Sequence, residues 1–152
     1  MLIFLLDILQ RSGILSVIEG DMKKGKLLNS HISAVISEMG HTDTIVIADA
    51  GLPIPDSAER IDLALCAGVP DFVTVLKTVL EELQVEEFTV ASEISDKNPA
   101  VAAEIKSLLK DAKMNTVSHE QFKKLTADAK AVIRTGECTP YANVILHSGV
   151  VF

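Results

Sequence analysis

TIVIAD, Thr44 to Asp49, decides how the rest of the chain reads. Four β-branched residues and an alanine follow one another without polar alternation, the pattern of a strand covered on both faces. A carboxylate, Asp49, ends the run. AGLPIPDS then breaks regular structure with Gly51, Pro53 and Pro55. A doubly covered strand needs helices around it. The flanking sequence supplies them.

Upstream, LLNSHISAVISEMG (residues 27–40) places Ile32, Val35, Ile36 and Met39 at helical spacing. Asn29 or Ser30 is placed to cap it, and Gly40 to take a left-handed stop. Downstream, RIDLALCAG from Arg60 reads as a second strand. VPDFVTVLKTVLEEL reads as a helix, with Pro70 near its start and Phe72, Val75, Leu76, Val79 and Leu80 on one face. EEFTVAS is a third strand, and NPAVAAEIKSLLK a helix with Asn98 as cap and Pro99 first. NTVSHEQFKKL gives a short strand, then a helix opening at Ser118, with Gln121 at capping-box spacing. AVIRTG and NVILHSGVVF are the last strands. The alternation predicts a single-domain, three-layer α/β/α sandwich around a central mixed sheet.

Bulk properties narrow the function classes. The chain has 152 residues, 48% of them hydrophobic, and a mean hydropathy of +0.33. That richness points to a buried subunit interface. A net charge of −7 without a basic run disfavours nucleic acid, and 4% aromatic residues without tryptophan disfavour base stacking. Cys66 and Cys138 are far apart without CxxC spacing, which reads as two free thiols in a reducing cytoplasm. G-x-G-x-x-G, the P-loop pattern and HExxH or HxxEH metal spacing are absent from the sequence. Residues 1–21, MLIFLLDILQRSGILSVIEGD, are apolar, but Asp7 and Arg11 interrupt them. They suit neither a signal peptide nor a membrane span. They read as an N-terminal extension, either outside the native protein, with MKKGKLLN at Met22 the natural start, or an added amphipathic helix.

Five positions carry candidate chemistry. His41, after Gly40, is a general acid or base near neutral pH, or a helix C-terminal histidine favoured by the dipole. Asp49 stands at the carboxyl end of a strand, where α/β sheets bind ligands, or is a turn residue bonding its own backbone. His119 opens a helix at a loop edge, as a hydrogen-bond partner or an exposed first-turn residue. Tyr141, the single tyrosine, and Asn143 share a loop that offers donors and acceptors for a polyhydroxylated ligand, or a turn built by Pro140 and Asn143. Lys123 reads as a solvated charge, and His31 and His147 as structural.

Taken in order, MKKGKLLNSHISAVISEMGHTDTIVIADAGLPIP, HEQF and AVIRTGECTPYANVILHSGVVF resemble the D-ribose pyranase family over residues 22–152. The L-fucose mutarotases share a GHxD segment but differ at DAGLPIP and TPYAN. The resemblance implies cofactor-free and metal-free interconversion of β-D-ribopyranose and β-D-ribofuranose. It also implies a cytoplasmic ring of ten subunits with sites shared between neighbours. Position by position, it makes His41 the proton donor, and Asp49, His119, Tyr141, Ala142 and Asn143 sugar-binding residues. Asp49 would also orient His41, and Tyr141 and Asn143 would reach into a neighbour's site. The rival readings are a mutarotase for another sugar such as L-fucose, a non-catalytic sugar-binding or regulatory protein, and a purely structural oligomer.

Overall fold

The computed structural model describes residues 22–152; the expectation for residues 1–21 lies outside them. A six-stranded sheet forms the centre, built from β1 (Thr44–Ala48), β2 (Glu59–Asp62), β3 (Val85–Ala91), β4 (Lys113–Val117), β5 (Ala131–Arg134) and β6 (Val144–Ser148). Its order is β2-β5-β1-β6-β3-β4. β6 runs antiparallel to β1 and β3, while β2, β5 and β1 are mutually parallel, as are β3 and β4. The sheet is therefore mixed. The helices are α1 (Ser30–Glu38), α2 (Phe72–Leu80), α3 (Ile94–Lys97), α4 (Pro99–Leu108) and α5 (His119–Leu125), followed by a 3₁₀ turn at Thr126–Asp128.

Strand alternation sorts the core into two layers. Ile45, Ile47, Ile133, Leu146, Phe88 and Val90 face α1, α2 and α4. Val46, Ala48, Val132 and Ile145 face Phe122 of α5 and Leu52. The last four residues of β1, Ile45 to Ala48, are sealed from solvent, so the strand is covered on both faces as its composition requires. Each fully buried aliphatic or phenyl side chain contributes about 1.5–3 kcal/mol of transfer free energy. The two layers are unequal. Four helices, α1 to α4, pack in one layer, but α5 alone, with loops, covers the other, and this leaves room for a cleft at one sheet edge.

The caps follow the local chemistry, with two differences. Asn29, Asp71, Asn98 and Ser118 each accept a first-turn N–H with a side-chain oxygen. Pro70 therefore stands ahead of the Asp71 cap, outside α2. Gly40 is not left-handed; the positive φ falls instead on Thr42, at 72°. The Asp43 carboxylate takes the Gly40 N–H at 2.9 Å and closes the turn without a left-handed glycine. The second strand is also shorter than RIDLALCAG suggests. β2 pairs only with β5 and stops at Asp62, opposite the end of β5 at Arg134, because an edge strand has no second neighbour to extend it.

Candidate functional site

Strand direction decides which residues meet. The carboxyl ends of β1, β3, β4 and β5 lie along one edge of the sheet, and β6, running the other way, starts there. Asp49 follows β1, Glu93 follows β3, His119 follows β4, Glu137 follows β5, and Tyr141–Asn143 precede β6. Residues far apart in sequence thus converge at the edge where α/β sheets bind ligands.

Asp49 is held on both oxygens. Its Oδ1 accepts the Gly51 N–H at 2.9 Å and its Oδ2 accepts Asn143 Nδ2 at 2.9 Å. The Asp49 N–H in turn donates to Asn143 Oδ1 at 2.8 Å. Each carboxylate oxygen keeps acceptor capacity for a ligand hydroxyl. Asn143 and Ala142 are fully buried. The Asn143 amide grips Asp49 from behind and does not line the cleft.

An open cleft of about 350 Å³ is lined by Asp49, Gly51, Leu52, His119, Pro140 and Tyr141. The His119 ring packs edge-on to Tyr141, centroids 5.0 Å apart, and stacks near Phe122 at 6.4 Å. His119 Nδ1 is buried and meets no hydrogen-bonding group among the described residues. The His119 backbone N–H donates to both Glu93 oxygens at 3.1 Å, and this bond holds the Glu93 carboxyl below the usual carboxylate range. Tyr141 takes φ 57°, a left-handed conformation that costs a non-glycine residue about 1–2 kcal/mol. Strain of this kind persists where surrounding structure imposes it, commonly at binding sites.

Glu137, which the sequence reading did not single out, organises the loop. One carboxylate oxygen accepts the Phe72 N–H at 3.2 Å, the other accepts Thr139 N at 3.2 Å and Thr139 Oγ1 at 2.9 Å. Its carbonyl takes the Ala50 N–H at 2.8 Å. Asn98 adds two bonds from its amide, to Thr139 Oγ1 at 2.8 Å and to the Pro140 carbonyl at 3.0 Å. Its place in TGEC gave a sequence signal, but a contact with α2 is visible only in three dimensions. Next to it, a Cβ on Gly136 would fall against the Val69 carbonyl and 2.6 Å from the Cys66 carbonyl oxygen. Gly136→Ala is therefore expected to destabilise the fold by about 1–3 kcal/mol and to displace the loop that carries Thr139 to Tyr141. A denaturant titration beside ligand-binding measurements checks both effects.

His41 lies elsewhere. It precedes β1 at the opposite sheet edge, where β6 ends and β3 begins. β1 alone spans roughly 15 Å at about 3.3 Å per residue. Asp49 therefore does not orient His41 within one chain. The carboxylate beside His41 is Glu86, whose oxygens sit 2.9 and 3.0 Å from His41 Nε2. Tyr141 and Asn143 sit with their own chain's Asp49, away from their own chain's His41. Lys123 pairs with Glu120 at 2.7 Å, at the surface of α5. Among the described residues, no three His, Cys, Asp or Glu side chains gather as a metal-binding group, and no helix is long and apolar enough to cross a membrane.

A mixed α/β sheet with a polar, half-open cleft at its carboxyl edge defines a small-molecule-binding α/β protein whose donors and acceptors suit a polyol. Comparison with known proteins makes this specific. The model of the RbsD / FucU transport protein family matches residues 22–151, and the chain belongs to that family. It is 60% identical over 131 residues to the D-ribose pyranase of Clostridium perfringens, covering 86% of this chain and all of that one. It is 56% identical over 139 residues to the D-ribose pyranase of Proteus mirabilis, with the same coverage. Among solved structures, Bacillus subtilis RbsD complexed with D-ribose superposes with a TM-score of 0.84 at 50% identity, over 86% of this chain and 100% of that one. The L-fucose complex of the Streptococcus pneumoniae fucose mutarotase superposes at 0.71 with 27% identity, over 84% and 96%.

Proposed function

We infer that this chain is an isomerase, a D-ribose pyranase, that interconverts the pyranose and furanose forms of D-ribose and supports ribose utilisation. One observation carries the reading: residues 22 onward align along the full length of relatives named D-ribose pyranase at 60% and 56% identity. The identity to the fucose mutarotase is 27%, which makes a fucose substrate the weaker reading.

The geometry supplies a mechanism as our proposal. Ring opening needs a proton on the ring oxygen while the anomeric hydroxyl loses one. The open aldehyde rotates and recloses through its 4-hydroxyl. Opening and reclosure are each assisted by proton transfer, which needs no cofactor. Asp49, held by Asn143 and Gly51, binds sugar hydroxyls. His119 and Tyr141 fix the sugar's orientation, with Ala142 and Asn143 forming the buried base of the site. His41 donates the proton to the ring oxygen. It stands at the far edge of its own sheet, so the site is completed by His41 of a second copy. Exposed Leu28, Leu65, Val151 and Phe152, 67%, 81%, 84% and 101% accessible, are apolar surface that such an assembly would cover. A cytoplasmic homodecamer with sites between neighbours fits this arrangement.

Saturation-transfer NMR on D-ribose, with and without protein, tests the function. Acceleration of exchange between ring forms is expected. No acceleration by folded, oligomeric protein would remove the ribose reading.

A further inference from the structure

Beside His41 the chain has built a dedicated carboxylate. We propose that Glu86 is a positioning residue that locks His41 in the tautomer with hydrogen on Nε2, so that the proton exchanged with sugar is carried on Nδ1. The catalytic half of this statement rests on the ribose pyranase reading above; the tautomer half does not.

The contact is defined at atom level. Both Glu86 oxygens lie within 3.0 Å of His41 Nε2. An ionised carboxylate only accepts hydrogen bonds, so Nε2 must carry hydrogen whether the imidazole is neutral or charged. Nδ1 is then the one ring atom that can gain or lose a proton without breaking the pair. A histidine that shuttles protons gains from this, because a second-site hydrogen bond fixes both ring orientation and tautomer.

The backbone is shaped to deliver Glu86. In the pairing of β3 with β6, Val85 sits opposite Ser148 and Glu87 opposite His147. Glu86 is the extra residue of that irregularity. A bulge leaves its residue unpaired and re-aims its side chain, here toward the turn that carries His41. Gly149 then leaves the space: a Cβ there would stand 3.2 Å from Glu86 Cβ and 3.4 Å from its Oε2. The Gly149 N–H is bonded to the Gln84 carbonyl at 2.9 Å, which ties the end of β6 to the start of β3.

The His41 turn is pinned equally well. Thr42 N donates to the Ser148 carbonyl at 3.0 Å and Ser148 N to the Asp43 carbonyl at 2.9 Å. The Ser148 hydroxyl donates to the Gly40 carbonyl. Asp43, the other nearby carboxylate, is occupied by the Gly40 N–H at 2.9 Å and lies 3.8 Å from Lys130. Glu86 is thus the carboxylate free to serve His41. An incidental surface pair would be worth about 0–1 kcal/mol and would not need a bulge, a glycine and a four-bond turn to form. The pair stays half open, with side chains 52% and 41% accessible, so Nδ1 can present to a second copy's cleft.

In the proposed step the imidazolium keeps its Nε2–H on Glu86. The Nδ1–H bond breaks and an O–H bond forms on the ring oxygen. The electrons of the ring C1–O bond pass to that oxygen. The anomeric O–H bond breaks to give the aldehyde, its proton passing to water in the open cleft. Solvent later restores the Nδ1 proton.

The test uses the full chain labelled with ¹⁵N-histidine. With four histidines per chain, comparison with His41→Asn assigns the His41 signals in magic-angle-spinning NMR. Wild type is expected to show protonated Nε2 and bare Nδ1 in neutral His41. Glu86→Gln, whose amide can donate or accept, is expected to give mixed tautomers. In ring-exchange assays the same variant should lose about tenfold or more in kcat while KM for ribose stays within about twofold, because Glu86 does not touch the sugar. A wild-type His41 protonated on Nδ1 would overturn the proposal, as would Glu86→Gln with unchanged tautomer and unchanged kcat. If wild-type protein failed to accelerate ribose exchange, the function reading would fall while the tautomer spectrum still decided the role of Glu86.

Discussion

Replacing His41 with alanine is expected to slow ribose ring exchange by about 10²–10⁴-fold, the range a positioned general acid contributes. Ribose affinity should change little, since Asp49, His119 and Tyr141 remain in place at the other sheet edge. The fold should also survive: His41 is exposed and its turn is held by backbone bonds from Thr42, Asp43 and Ser148. Saturation transfer gives the rate, and titration with ribose gives the affinity. Full exchange rate in the variant would end the proton-donor role. A companion experiment tests where the histidine acts. His41→Ala and Asp49→Ala chains, each inactive alone, are co-assembled. If a site draws His41 from one copy and Asp49 from another, roughly a quarter of the sites in a random mixture hold both wild-type residues, and activity returns. If both came from one chain, none would.

Asn143→Ala should act on both stability and binding. The substitution removes two hydrogen bonds to Asp49, on its N–H and its Oδ2, inside a pocket where Asn143 is fully buried. Leaving such groups unmatched costs about 1–3 kcal/mol. The freed Asp49 carboxylate then loses its aim, and ribose binding should weaken by about tenfold or more, since a change of 1.4 kcal/mol is one decade. Asp49→Ala provides the contrast: the binding carboxylate is lost while the bond from the residue 49 N–H to Asn143 Oδ1 is kept. A denaturation midpoint and a ribose titration on each variant separate the two roles. Equal stability of Asn143→Ala and wild type would refute the clamp.

Much of the fold was legible because its signals are local. TIVIA announces a doubly buried strand by composition alone. Asn98-Pro99 and Ser118 announce helix starts by side-chain reach. The differences arose where a distant partner decides. β2 stops at Asp62 because β5 stops opposite it. Gly40 gives up the left-handed position because the Asp43 side chain closes the turn. The bulge at Glu86 leaves no local mark in QVEEFTVA, since a bulge is a property of two strands together.

The site divides in the same way. The motifs GHTD, DAGLPIP, HEQF and TPYAN offered His41, Asp49, His119, Tyr141, Ala142 and Asn143 as candidates by residue type and order. Their grouping was not in those motifs. His41 and Asp49 flank one short strand and look like neighbours in sequence, yet an extended strand holds its ends apart, while β6, entering antiparallel beside β1, brings Asn143 onto Asp49 from 94 positions away. Sequence determined the chemical groups and the strand that carries them, because composition and periodicity act over a few residues. Tertiary structure decided which groups share a cleft, that Asn143 serves Asp49 from behind, and that Glu86 stands against His41, because strand direction and register are settled only when distant segments pair.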